Sequence, residues 1–142
     1  MKRILGTILL LLLTTFNILN AQENKKIHKI VIQVSSSDII TQKMALNNAV
    51  NLQEHYGVDN IKIEIVAYGP GLSLLTSESL QSTKVENLVF NDIKFSACSN
   101  TIEIMEKRFN KEIKLLDDVA IVPAGAARIM ELQEQGYAYL RP

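Results

Sequence analysis

A single cysteine, Cys98, is the strongest nucleophile in a chain of 142 residues, and it stands in the run Phe95-Ser96-Ala97-Cys98-Ser99-Asn100-Thr101. Ile93 to Ala97 reads as a short strand. Ile102, Ile104, Met105 and Phe109 fall at helical spacing just beyond it. The thiol therefore sits at a strand-to-helix junction, facing unpaired N–H groups and the positive end of a helix dipole. That setting favours the thiolate: a free cysteine titrates at about 8.5, and helix N-termini or nearby cations lower this to roughly 3.5 to 7.5. The same position suits a small apolar residue closing a buried strand. Position alone leaves a reactive thiol and an inert core thiol both open.

Three other loops carry residues of the kind that bind ligands. Ser35-Ser36-Ser37-Asp38 is rich in turn formers, and Asp38 can cap a following helix. Tyr68-Gly69-Pro70-Gly71 sets two glycines around a rigid proline, which lets backbone come close to a ligand or to another segment. It is not a dinucleotide fingerprint, because Leu74 occupies the place of the third glycine. Pro123-Ala124-Gly125 is the third. Ser35, Asp38, Tyr68, Gly69, Gly71, Ser99, Asn100 and Gly125 are thus the pocket candidates around Cys98.

The two histidines, His28 and His55, are far apart in sequence and make no metal-ligand spacing with the lone cysteine. A Cys-His pair would need His28 at the other end of its strand. Arg128, on the helix after Pro123, reads as a surface residue near the pocket edge. No Ser-His-Asp order, phosphate-binding loop or metal motif is present, so neither a metal nor a cofactor is expected, nor a self-sufficient hydrolase or kinase.

These loops need strands and helices to place them. Ile27 to Val34 is β-branched and strand-like, and Ile39 to Tyr56 places Ala45, Leu46, Ala49, Val50, Leu52 and Tyr56 on one helical face, ended by Gly57. Ile61 to Val66 is a second strand. A helix is expected over Leu72 to Ser77 and a short one within Ser79 to Asn91. After the Cys98 strand and its helix come a strand over Val119 to Val122, a helix over Ala126 to Gln135 with Ile129, Met130 and Leu132 inward, and a last strand over Tyr137 to Leu140. Strands alternating with helices imply an α/β fold in three layers, with about five mainly parallel strands and helices on both faces, in flavodoxin-like layering. The loops that follow the strands then gather at one edge.

Residues 1 to 21 read as an export signal: Lys2 and Arg3, an apolar run from Ile8 to Leu13, and Leu19-Asn20-Ala21 before the cut. Residues 22–142 would be one domain, periplasmic or secreted. Leu19 is large for its position, so an uncleaved form that touches the membrane only through this segment is the alternative. Removing the segment takes away Lys2 and Arg3 and no acidic residue, which leaves 13 basic against 15 acidic residues. A net charge of −2 gives no electrostatic case for nucleic acid. An unpaired cysteine is unusual for an exported chain.

The runs Ile32-Gln33-Val34-Ser35, Ala45-Leu46-Asn47-Asn48-Ala49, Val66 to Leu72, Phe95 to Thr101, Val122 to Gly125 and Glu131 to Tyr139 together resemble the DsrE/DsrF-like family, in order over the whole mature chain. The resemblance implies a five-stranded α/β domain assembled as a homo-oligomer, a trimer or hexamer. It also implies a sulfur relay in which a cysteine after a central strand carries a persulfide between sulfur donor and acceptor proteins or inorganic sulfur species. Cys98 matches that cysteine. The competing expectation is a non-enzymatic oligomeric protein that binds a small ligand or partner and whose cysteine is structural. A redox protein capping other thiols is the third, and lacks a resolving cysteine.

Overall fold

The structure is a computed structural model that describes residues 26–142. The export segment and the expected mature start at Gln22 lie outside the described residues. Strand β1, His28–Val34, carries the sequence HKIVIQV and is buried from Val31 onward. Helix α1, Ile39–Tyr56, opens on Asp38, whose carboxylate accepts the Thr41 N–H at 2.8 Å and the Thr41 hydroxyl at 2.9 Å. Those bonds, the backbone one first, hold the Asp38 carboxyl below its ordinary value.

Ala45, Leu46 and Ala49 give α1 its apolar face, and two glutamines lie buried beside them. Gln42 donates to the Ser36 carbonyl and the Ser73 hydroxyl, and Gln53 to the Asn91 carbonyl, so their burial leaves these amide N–H groups bonded. A 3₁₀ turn at Val58–Asn60 leads into β2, Ile61–Ala67, in which only Lys62 is exposed.

The segment after β2 differs from the helix expected over Leu72 to Ser77. It is a 3₁₀ helix, Gly69–Leu75, with Leu72, Leu74 and Leu75 buried. Pro70 and two glycines disfavour an α-helix, and the tighter turn brings the leucines onto the core. Gly71 lies so close to β1 that a β-carbon on it would stand 2.2 Å from the Val34 carbonyl oxygen.

Helix α2 is Ser82–Phe90, β3 is Lys94–Cys98, and α3, Ser99–Phe109, follows β3 with no intervening residue. Then come β4 Ala120–Val122, α4 Gly125–Glu134 and β5 Ala138–Leu140. On α4, Ile129 and Leu132 are buried as expected, while Met130 turns to solvent at 62% exposure. One step along a helix rotates a side chain by about 100°, so residues 129 and 130 cannot share a narrow face.

All five strands are parallel, in the order β4-β3-β2-β1-β5. The α/β architecture expected from the alternation of elements is thus the one observed. The larger core lies on one face, where α1, α2, α3 and the leucine-bearing 3₁₀ turn pack on Ile32, Ile63, Ile65 and Phe95. A smaller cluster of Val31, Val66, Ile129 and Leu132 fills the other face under α4 alone. Adjacent strands β3 and β4 therefore send their following helices to opposite sides of the sheet. A crevice opens at such a point in a parallel sheet, and Cys98 is the last residue of β3.

Candidate functional site: the thiol between two helix starts

Strand alternation sets the direction of the Cys98 side chain. Lys94, Ser96 and Cys98 share one face of β3, the face that α4 covers, and Cys98 is in register with Val122 of β4. Since α3 starts at Ser99 and α4 at Gly125, the sulfur lies near the N-termini of both helices. Burial pushes the Cys98 thiol up, but the dipoles of the Thr101 hydroxyl and of the helix-start N–H groups of Gly125, Thr101 and Asn100 near the sulfur outweigh it and hold the thiol below its ordinary value. These donors favour the anion because helix-start N–H groups lack partners within their own helix.

Thr101 links the thiol to a second loop. Its hydroxyl oxygen accepts the Gly69 N–H at 3.0 Å, which leaves its own proton for the sulfur. Gly125 is held close from the other side: a β-carbon there would meet the Tyr68 ring at 2.9 Å. Gly125 thus meets Cys98 at the sulfur, while Gly69 stands behind Thr101 and Tyr68 behind Gly125, so four of the residues singled out in the sequence fall within one neighbourhood.

The others are placed differently. Gly71 is packed against the end of β1. Ser35 accepts a bond from Gln33 at 3.1 Å. Asp38 is exposed and caps α1. The Ser99 hydroxyl turns to Glu103 at 3.3 Å, and Asn100 is exposed with its N–H on the Pro123 carbonyl at 3.3 Å. These last contacts shape the helix starts.

Below the thiol lies a charged group that reading the sequence passed over. Glu64 is 2% exposed on β2, accepts the Ser96 hydroxyl at 2.7 Å, and is gripped by Arg128 through Nε and Nη2 at 2.7 and 2.8 Å. Arg128 is therefore an anchor under α4, and the surface role expected of it is corrected. Burial raises the Glu64 carboxyl, while the bonds from Arg128 and Ser96 and the charge of Lys94 bring it below its ordinary value. One sequence signal was available: a lone glutamate in the central run Ile61-Lys62-Ile63-Glu64-Ile65-Val66, where a parallel strand is buried on both faces and a charge needs a partner.

The thiol itself is 4% exposed. His28 lies at the start of β1, the opposite end of the sheet, stacked on Tyr56 at 4.0 Å. Among the described residues no cluster of three or more histidine, cysteine, aspartate or glutamate side chains could hold a metal, and no helix is long and apolar enough to cross a membrane. What the arrangement can do is stabilise negative charge on one sulfur.

No protein-family model matches the chain, and no curated protein does. Solved structures similar to it include two proteins of unknown function. The conserved protein of unknown function BT1422 from Bacteroides thetaiotaomicron shares 16% identity at a TM-score of 0.57, over 87% of this chain and 100% of that one, and shows the fold. The protein of unknown function MTH1491 from Methanobacterium thermoautotrophicum shares 30% identity at a TM-score of 0.74, over 81% of this chain and 99% of that one. At that identity and coverage, the chain belongs to the family of MTH1491.

Proposed function

We propose that this protein is a sulfur carrier of the DsrE/DsrF-like type that holds a persulfide on Cys98. The observation that carries the reading is the set of donors around the sulfur: the Thr101 hydroxyl and backbone N–H groups from the starts of two helices, which lower the thiol against the cost of its burial. A thiolate in that setting attacks the terminal sulfur of a sulfane compound. The S–S bond of the donor breaks, its remaining sulfur leaves as an anion, and Cys98 gains one sulfur. The same donors stabilise the charge on the new terminal sulfur. The reading includes export of the mature chain to the periplasm or beyond and assembly as a trimer or hexamer.

A second reading has its own support in the 4% exposure of Cys98. It makes the protein a non-enzymatic oligomer with a structural thiol. Intact-mass measurement after polysulfide treatment, with Cys98→Ser as control and a reductant chase, separates the two. Gain of one sulfur, about 32 mass units, reversed by reductant and absent in the variant, is expected of a carrier. A folded protein that takes up no sulfur and resists alkylation is the structural-thiol protein.

A further inference from the structure

One groove of about 410 Å³ runs along α3 and reaches Thr101, whose hydroxyl lies beside the Cys98 thiol. Its helical wall is Thr101, Ile104, Met105, Arg108 and Phe109, and its other wall includes Gly69 and Pro70. Positions 101, 104 or 105, and 108 lie along one helix face, so Thr101 and Arg108 stand at its two ends, seven residues or about 10 Å apart. Between them the surface is apolar, and Ile104 and Phe109 are 65% and 59% exposed. Arg108 is the only charged residue on the groove and has no ion pair among the described residues.

We propose that this groove binds an elongated organic anion, with its carboxylate on Arg108, its apolar body along Ile104, Met105 and Phe109, and its sulfur at the Thr101 end. This rests on the sulfur-carrier reading and names the substrate class for it: an organic thiol or persulfide rather than an inorganic sulfur species. Three features choose the occupant. The volume is that of a small-molecule site. The single cation calls for a single anionic group, for which the guanidinium fork is suited. The spacing of about 10 Å from Thr101 to Arg108 sets the length of the body. In the transfer step the thiolate of the bound acceptor attacks the outer sulfur of the Cys98 persulfide. The S–S bond to Cys98 breaks, its electron pair returns to Cys98 as thiolate, and the acceptor leaves as a persulfide with no net oxidation.

The test uses heptanoate as the binding probe, heptylamine as the opposite-charge control and ω-mercaptoheptanoate as acceptor. Heptanoate should shift the amide NMR signals of Thr101, Ile104 and Arg108, slow alkylation of Cys98, and bind roughly fivefold more weakly to Arg108→Met, whose exposed side chain is not needed for folding. Heptylamine should not compete. The loaded protein should pass its sulfur to ω-mercaptoheptanoate faster than to an uncharged thiol of the same length. Equal binding of heptylamine, an unaffected Arg108→Met, or no binding because a second copy of the chain covers the groove would each overturn the proposal. If polysulfide still loads Cys98 while heptanoate does not bind, the groove assignment fails and the carrier reading stands. If heptanoate binds as expected and Cys98 never takes up sulfur, the carrier reading fails and with it the substrate assignment.

Discussion

Arg128 grips Glu64 with two nitrogens, Nε on Oε1 at 2.7 Å and Nη2 on Oε2 at 2.8 Å, and so ties the first turn of α4 to the central strand β2. The same Oε1 accepts the hydroxyl of Ser96. Ser96 is two residues before Cys98 on the same strand face, and Arg128 is three residues after Gly125. The carboxylate thereby fixes the spacing between β3 and α4, the two elements that set a thiol against a helix start.

Arg128→Met should destabilise the fold by about 3 kcal/mol, the lower end of the range for breaking a buried pair, because the guanidinium side is partly open to water. The pH dependence follows from the lowered Glu64 carboxyl. A group whose folded value lies below its ordinary 4.5 contributes stability that is full above that value and is lost as the pH falls through the folded one. Without Arg128, burial dominates and raises the carboxyl above its ordinary value, and the sign reverses: the variant is least stable near neutral pH and regains stability as the pH falls through the raised value. Denaturant unfolding from pH 7 downward, in both proteins, measures this; curves that coincide at all pH values would remove the pair from the account.

Thr101→Val tests the donor set at the sulfur directly. The substitution keeps the shape of the side chain and deletes the hydroxyl that accepts from Gly69 and lowers the Cys98 thiol. The thiol should move up toward its ordinary value, and the pH midpoint of its alkylation should rise with it. At neutral pH the thiolate fraction should fall about fivefold, the worth of one ordinary hydrogen bond. An unchanged midpoint, with folding intact, would mean that the backbone N–H groups alone hold the anion.

Much of this was legible in the sequence because it depends on local rules. The β-branched runs at β1 and β2, the Asp38 cap and the solitary Cys98 at a strand end each follow from residues within a few positions of one another. Thr101 was not legible, since its bond to Gly69 spans 32 residues and exists only once β2 and β3 lie side by side. Glu64 hid in the same way: its partners Ser96 and Arg128 come from two other elements. Met130 went wrong for a simpler reason. Apolar character does not by itself set direction, and the helix buries Ile129 and Leu132 on the sheet while Met130 faces solvent.

Two glycines near the site should respond differently to alanine. Gly71→Ala would drive a β-carbon to 2.2 Å from a backbone oxygen and 2.6 Å from its carbon, atoms that cannot move without shifting β1. Overpacking of that kind costs about 3 kcal/mol or more. Gly69→Ala meets nothing within 4 Å, and its cost is the positive φ of 53°, about 1 to 2 kcal/mol. Chemical denaturation of the two variants should rank them in that order, and the reverse order would mean that the close approach at Gly71 relaxes freely.

The 4% exposure of Cys98 raises the question of how a buried thiol meets a donor, and α3 is the helix with no buried residue. None of its eleven residues is buried; it rests on the main core through the partly buried Ile102 and Met105. Local opening is drawn from elements with few buried apolar contacts, because little is lost when they separate. The α3 amides should therefore exchange with solvent well before those of α1 or β2. Alkylation of Cys98 should quicken at urea concentrations too low to unfold the sheet, since lifting the start of α3 uncovers the sulfur. Amides of α3 that exchange only by global unfolding, with Cys98 alkylated at the same rate, would leave the thiol sealed in the native state. That result would favour the structural-thiol reading.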